Sequence, residues 1–234
     1  MTITLVTGAN RGLGYETVRR LVEAGHTVYL GARDAERGAK AAAELGARYV
    51  RLDVTDDDSV RAALRTIAAD AGGLDVLVNN AGIAEMRGPS EADTVTGESA
   101  LRQFDTNAVG VVRVTTAALP LLRASANPVV VNVSSALGSF WAVTNPQRRQ
   151  FHYPSIVYGA TKAAVSMLTV QYAKAVPEVK FNAVEPGFTA TDFTAGIEGG
   201  RPVEQSAEVI VRLATIGPDG PTGTFTEDDH PLPW

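Results

Sequence analysis

The sequence predicts an α/β fold: a three-layer, doubly wound arrangement with a single, mostly parallel sheet of seven strands between two layers of helices. Three observations carry this. Short apolar runs alternate with segments of helical spacing along the whole chain. Strand follows helix with no hairpin signal between consecutive strands, so each strand is reached by a crossover and lies parallel to the last. No linker, internal repeat or low-complexity segment interrupts the series, so residues 1–234 read as one domain.

The elements follow in order. Ile3, Leu5 and Val6 form a run suited to a strand buried on both faces. Thr7-Gly8 ends it, and Gly8, Gly12 and Gly14 fall in a GxxxGxG spacing. Tyr15 to Ala24 then has Val18, Leu21 and Val22 at helical spacing, with Gly25 as a C-cap candidate. His26 to Leu30 is a second strand, and Asp34 to Leu45, rich in Ala and Glu, a second helix. Arg48 to Leu52 is a third strand ending in Asp53. Asp56 to Ala71 is helical, with Val60, Leu64 and Ile67 on one face. Leu74 to Val78 is a fourth strand, ending in Asn79-Asn80-Ala81-Gly82. Glu98 to Leu122 holds one long helix or two joined ones. Pro128 to Val133 is a fifth strand, ending in Ser134-Ser135. Tyr158 to Ala175 is a helix and Val179 to Val184 a sixth strand. Val203 to Ala214 is a shorter helix, and Gly223 to Phe225 a last short strand. Two irregular regions, 139–157 and 188–202, both follow strands.

Composition narrows the function. A hydrophobic content of 45% and a charged content of 20% are ordinary for a water-soluble globular chain. A net charge of -5 leaves no basic footprint for nucleic acid. The absence of cysteine excludes disulfides, thiol catalysis and cysteine-ligated metal. His26, His152 and His230 lack metal-like spacing, so no metal is expected. No apolar run approaches the roughly 18–20 residues of a membrane span, and a cytoplasmic location is the default expectation.

Polar residues gather at the strand ends: Thr7, Arg33, Asp53, Asn79, Asn80, Ser134, Ser135 and Glu185. Ligands of an open parallel sheet bind beyond those ends. Glycines after the first strand let the backbone turn tightly and let a phosphate approach, and the following helix N-terminus offers N–H groups to it. Alone, the triplet fits a plain tight turn equally well; between strand and helix it points to a dinucleotide site. Tyr158 and Lys162 lie one turn apart on one helix face. A nearby ammonium would lower the tyrosine's pKa towards usefulness. Taken singly, this pair would be a surface contact, Ser134-Ser135 a strand end, and Asn107 a structural polar residue. Asp53 suits a cofactor contact or a cap on the next helix, or both.

Together these motifs resemble the short-chain dehydrogenase/reductase family in its single-domain form, on the Rossmann fold. TGANRGLG (Thr7 to Gly14) matches the family's TGxxxGxG, Asp53 in LDVTD its adenine-contacting aspartate, and NNAG (Asn79 to Gly82) the motif after the fourth strand. Asn107 in NAVG, Ser135, and YGATK (Tyr158 to Lys162) match the catalytic residues, and PGFTAT (Pro186 to Thr191) the nicotinamide-side motif. GARDAERG and the closing TGTFTEDDHPLPW look most similar to NADPH-dependent carbonyl reductases. The resemblance implies that Tyr158 donates a proton to a carbonyl oxygen, Lys162 lowers the tyrosine's pKa and holds the nicotinamide ribose, Ser135 polarises the carbonyl, and Asn107 holds a water leading to solvent. It implies cofactor contacts at Gly8, Asn10, Arg11, Gly12, Leu13, Gly14, Arg33, Asp53, Val54, Asn80, Ala81, Gly82, Tyr158, Lys162, Pro186, Gly187, Phe188, Thr189 and Thr191.

An acid ending the second strand would bond the ribose 2′-hydroxyl of NAD. This chain has Gly31-Ala32-Arg33, and Arg33 with Arg11 suits a 2′-phosphate, so NADP(H) is expected. Asp34 falls one residue beyond and is free to cap the helix it begins. Substrate-wall candidates are Leu137, Trp141, Ile156, Phe188 and Phe193, with Val157 and Phe151 beside them; they fit a hydrophobic ketone, aldehyde or quinone. The separation from Ser135 to Tyr158 exceeds the family's common spacing, the extra length lying in 139–157. The family's helices imply a homo-oligomer, dimer or tetramer, here through 98–122 and 158–175. The alternatives are a nucleotide-binding sensor on the same fold and an alcohol dehydrogenase working oxidatively.

Overall fold

A computed structural model describes residues 2–85, 91–191 and 199–234. Its sheet runs in the order β3-β2-β1-β4-β5-β6-β7-β8. The strands are β1 (Ile3–Thr7), β2 (Thr27–Ala32), β3 (Arg48–Arg51), β4 (Val76–Asn79), β5 (Val129–Val133), β6 (Lys180–Glu185), β7 (Thr224–Glu227) and β8 (His230–Pro231). All neighbours pair parallel except β7 with β8. The chain steps outward from β1 to β3 and then crosses back to β4, so strand order reverses between β1 and β4. A crevice opens at such a reversal.

The helices are α1 (Gly12–Glu23), α2 (Ala35–Leu45), α3 (Asp57–Ala71), α4 (Glu91–Thr94), α5 (Gly97–Phe104), α6 (Gly110–Leu122), α7 (Phe140–Thr144), α8 (Ile156–Ala175) and α9 (Val203–Ala214). Val18 and Leu21 of α1, Ala41 and Ala42 of α2, and Ile210 and Leu213 of α9 share one core with Val6, Val78 and Val131. Val60, Leu64 and Ile67 of α3 and Val114, Ala118 and Leu122 of α6 share the opposite core with Leu5, Leu77 and Phe181. Helices thus cover both faces, as the doubly wound reading requires. Each fully buried Leu, Ile or Phe contributes about 1.5–3 kcal/mol.

Two departures from the expected elements have clear causes. The sheet has an eighth strand, because Asp228 adopts φ 49° and turns the chain back after β7. Two residues containing a proline carry no strand signal, but the return is fixed by tertiary contacts: Leu232 N–H donates to Phe225 O at 2.8 Å, and Trp234 stacks on Phe225 at 5.3 Å. The segment 98–122 is two helices joined through a π-helical turn, Asp105–Val109. The cap of α3 is Asp56, whose carboxylate accepts from Asp58 and Ser59 N–H; Asp53 sits too far upstream for that role. Asp34 does cap α2, accepting from Arg37 N–H.

Below the strand ends, buried amides tie the two strands to the helices of one face. Asn79 Nδ2 donates to Asn132 Oδ1 at 2.8 Å and to Thr115 on α6 at 3.0 Å. Asn132 Nδ2 donates to Thr169 on α8 at 2.9 Å. Each such bond contributes about 1 kcal/mol net, but a partner left unpaired in the core costs about 1–3 kcal/mol. The network therefore fixes the height of α8, which bears Tyr158 and Lys162. No described helix is long and apolar enough to cross a membrane.

Candidate active site

The first turn after β1 is built for close approach. Gly8 (φ 63°) and Gly12 (φ 56°) lie in the left-handed region. A Cβ on Gly8 would stand 2.8 Å from Ala81 Cα, and one on Gly14 would stand 2.5 Å from Asn80 Nδ2. Thr7 Oγ1 accepts from both Asn80 and Ala81 N–H at 3.0 Å, and Asn80 Nδ2 donates to Thr7 and Gly8 carbonyls. The ends of β1 and β4 are thereby locked together. The N-cap residue Arg11 does not cap the first turn of α1 with its side chain, and such a helix start offers N–H groups to an anionic ligand. The donor set fits a dinucleotide phosphate.

A cleft of about 650 Å³ runs across the strand ends. Every residue that the sequence reading gave to the cofactor lines it, from Gly8 to Thr191. Asp34 does not: its two carboxylate oxygens are taken by Arg37 N–H at 2.9 Å and Arg37 Nε at 2.7 Å. Asp53 Oδ1 accepts from Thr55 N–H and Oγ1. Partial burial acts to raise the Asp53 carboxyl, but these bonds and the field of Arg33 outweigh it and hold it below the usual range.

Ser135, Tyr158, Lys162 and Glu185 also line the cleft. The two serines separate as extended geometry demands. Ser134 Oγ is buried against α8, bonding Lys162 O at 3.0 Å and Ser166 Oγ at 2.9 Å. Ser135 instead lines the cleft, its Oγ accepting from Leu137 N–H at 3.2 Å. Lys162 Nζ donates to Val133 O at 2.7 Å and lies 5.6 Å from the Tyr158 ring centre. Asn107 does not reach the cleft wall. It sits in the π-helical turn, where its Nδ2 donates to Ile83 O (2.8 Å) and Thr161 Oγ1 (3.0 Å) and its Oδ1 accepts from Ile83 N–H (2.8 Å). A π-turn rotates a helix locally by an extra residue, and here it brings Asn107 against α8.

Charge in this cluster differs from the expected pattern. Burial holds the Tyr158 phenol above its ordinary range and the Glu185 carboxyl adds to that, while Ser135 opposes it. The Lys162 ammonium is held on Val133 O and is itself desolvated. Burial brings Lys162 down to about 8, against the pull of Glu185. Burial likewise raises Glu185, opposed by its bond from Ala136 N–H and assisted by Glu227.

The substrate wall is only partly as expected. Leu137 and Phe188 line the cleft, and Arg149 lies over the Phe188 ring at 5.9 Å. Trp141 and Ile156 do not. The Trp141 ring packs under Arg148 at 5.5 Å and its backbone N–H donates to Trp234 O at 3.1 Å, and Ile156 is an exposed first residue of α8. Phe193 lies outside the described residues. Phe151 is turned to a neighbouring cavity over α8. Glu227 lines the cleft from the end of β7, and Gln150, His152 and Tyr153 line it unforeseen, since the 3₁₀ turn Arg149–His152 that carries or ends at them has no periodic signature. Glu185 had one: it stands at a strand end beside the other polar residues. Among the described residues no group of His, Asp and Glu could hold a metal ion.

Comparison with known proteins fits this geometry. Residues 2–201 match the sequence profile described as short chain dehydrogenase. The chain belongs to the short-chain dehydrogenase/reductase family. A short-chain dehydrogenase/reductase of Aspergillus fumigatus is 36% identical over 99% of this chain and 92% of its own. The mouse carbonyl reductase named for NADPH is 32% identical over 99% of this chain and 98% of its own. The NADPH-bound carbonyl reductase from chicken fatty liver superposes with a TM-score of 0.86, at 26% identity, over 100% of both chains. As a short-chain dehydrogenase/reductase the protein is an oxidoreductase of a family that binds nicotinamide cofactors, and carbonyl reductases are among its relatives.

Proposed function

We propose that the protein reduces the carbonyl group of a hydrophobic ketone, aldehyde or quinone with NADPH, and that Tyr158 is the general acid. The observation that best supports this is that Ser135 and the buried Tyr158 and Lys162 line one cleft that Arg11 and Arg33 also line. Gly8, residues 10–14, Arg33, Asp53, Val54, residues 80–82, residues 186–189 and Thr191 would hold the cofactor, which supplies the hydride when bound. Arg11 and Arg33 would meet the 2′-phosphate; Asp34, spent on its own helix, does not compete. The relatives named for NADPH point the same way.

Tyr158 gives its proton to the substrate oxygen, and the Lys162 ammonium stabilises the phenolate left behind. Ser135 donates a second hydrogen bond to that oxygen. Asn107 keeps α8 in register with the π-turn, so Lys162 stays beneath the phenol. A phenol held above its ordinary range keeps its proton at neutral pH, the form from which a carbonyl oxygen would be protonated. Exposed Leu101 and Phe104 on α5, Val109 in the π-turn and Met167 on α8 suit the homo-oligomer, which a solution mass measurement checks.

The test follows NADPH absorbance with a panel of ketones, aldehydes and quinones, for wild type and Tyr158→Phe. Consumption by wild type alone, with NADPH binding kept in both, supports the reading. Tight cofactor binding without turnover on any substrate replaces it with a sensor.

A further inference from the structure

The helix that bears Tyr158 is capped from outside itself. Its N-cap residue, Ser155, makes no capping bond with its side chain, and Ser155 Oγ is buried without a partner among the described residues. The N–H of Val157, second residue of α8, is taken instead by Glu91 Oε1 at 3.0 Å, from α4, 66 residues earlier in the chain. Val157 immediately precedes Tyr158. We infer that Glu91 is a positioning residue for the reduction: by accepting from Val157 N–H it holds the first turn of α8, and with it the Tyr158 hydroxyl, in place at the cleft. This rests on the functional reading above, which makes Tyr158 the acid.

The other bonds that anchor α8 meet it further along. Asn107 reaches it at Thr161, Lys162 is held through Val133 O and Ser134 Oγ, and Asn132 reaches it at Thr169. Tyr158 lies upstream of all of these, in the first turn. A helix has no acceptors of its own for the N–H groups of that turn, and an uncapped start frays. The chain leading in gives it no regular element to lean on: the 3₁₀ turn Arg149–His152 is followed by residues 153–155, which are neither helix nor strand. The bond from Glu91 fixes the turn where these anchors do not reach.

Glu91 is placed for this bond. It is the buried residue of the four-residue helix α4, at 3% exposure, while Ala92, Asp93 and Thr94 are exposed. Its Oε2 is buried without a partner among the described residues. An unpaired buried acceptor costs stability, and an apolar side chain of similar size would fill the space without that cost. What the carboxyl adds is an acceptor that reaches Val157.

Three substitutions separate reach from charge. Glu91→Gln keeps a carbonyl acceptor at the same length, Glu91→Asp keeps the carboxyl but is one carbon shorter, and Glu91→Ala has neither. Hydrogen exchange of the cofactor-free protein reads the first turn. Amides of residues 157–160 exchange about five-fold faster or more in Glu91→Asp and Glu91→Ala, the scale of a lost cap, while those of residues 165–175 keep their rates. In turnover the same two variants lose at least about ten-fold in kcat, because a displaced reacting group is costly, with the Kd for NADPH within about two-fold. Glu91→Gln stays within about three-fold of wild type in both measurements. Wild-type behaviour in Glu91→Asp and Glu91→Ala overturns the inference. So does a loss in Glu91→Gln as large as in Glu91→Ala, and so does a faster first turn with kcat unchanged, which leaves a cap of structural worth only. If Glu91→Ala does not fold, Glu91→Asp against Glu91→Gln decides. If wild type reduces no carbonyl, the functional reading falls, and hydrogen exchange by itself decides whether Glu91 holds the turn.

Discussion

Replacing Lys162 by Met separates stability from activity. The ammonium is buried and its pKa falls from 10.5 to about 8. At 1.36 kcal/mol per pH unit, that is about 3 kcal/mol by which the fold disfavours the charge. Met has a similar length and no charge. It also removes the bond to Val133 O at 2.7 Å, a loss of about 1–2 kcal/mol. The net expectation is a gain of about 1–2 kcal/mol, or roughly 2–8 °C in Tm for a chain of this size, while turnover is lost. The sign with pH is fixed. Below about 8 the lysine is protonated folded and unfolded, and the full cost is present. Between about 8 and 10.5 the folded state gives up its proton first, so the cost fades with rising pH. Calorimetry of wild type and Lys162→Met at a pH below 8 and at one near 10.5 measures the difference. The reasoning is refuted if Met lowers Tm below pH 8, or if its advantage grows as the pH rises.

Two further outcomes follow from the cofactor side of the cleft. Gly8→Ala places a Cβ 2.8 Å from Ala81 Cα at φ 63°, so strand β1 must part from the end of β4; calorimetry should show a loss of about 1–3 kcal/mol, with NADPH affinity in fluorescence titration down at least about ten-fold. Arg33→Ala removes a charge-assisted contact of about 1.5–3 kcal/mol; the KM for NADPH should rise about ten- to hundred-fold while that for NADH stays put, and an unchanged ratio of the two would remove Arg33 from cofactor choice.

What could be read from sequence alone follows from where each signal resides. β1 to β6 and the helices α1, α2, α3, α6 and α8 are periodic elements buried on one or both faces, so their apolar spacing reports them directly, whereas α4 and α7, of four and five residues, are too short to show a period. β8 is two residues held by a turn at Asp228 and by the docking of Leu232 and Trp234, contacts that no local pattern encodes. The π-turn around Asn107 is similar: a helix that gains one residue keeps almost the same periodicity, and only the bonds to Ile83 and Thr161 reveal why it does so. The cleft lining around the glycine turn was legible because glycines and polar strand ends must stand at fixed places where a backbone turns tightly at the mouth of a parallel sheet. Substrate residues have no such constraint. Trp141 looked like a wall because it is aromatic, yet its ring serves Arg148, and Arg148 serves Glu227. That chain of contacts links the segment 139–157 to β7, and β7 to Glu185 in the adjacent strand. The added length between Ser135 and Tyr158 therefore does more than lengthen a loop. It ties the segment to the edge of the sheet, because Arg148 holds both oxygens of Glu227 at 2.6 and 2.7 Å and Glu227 stands beside Glu185 in the β6–β7 register.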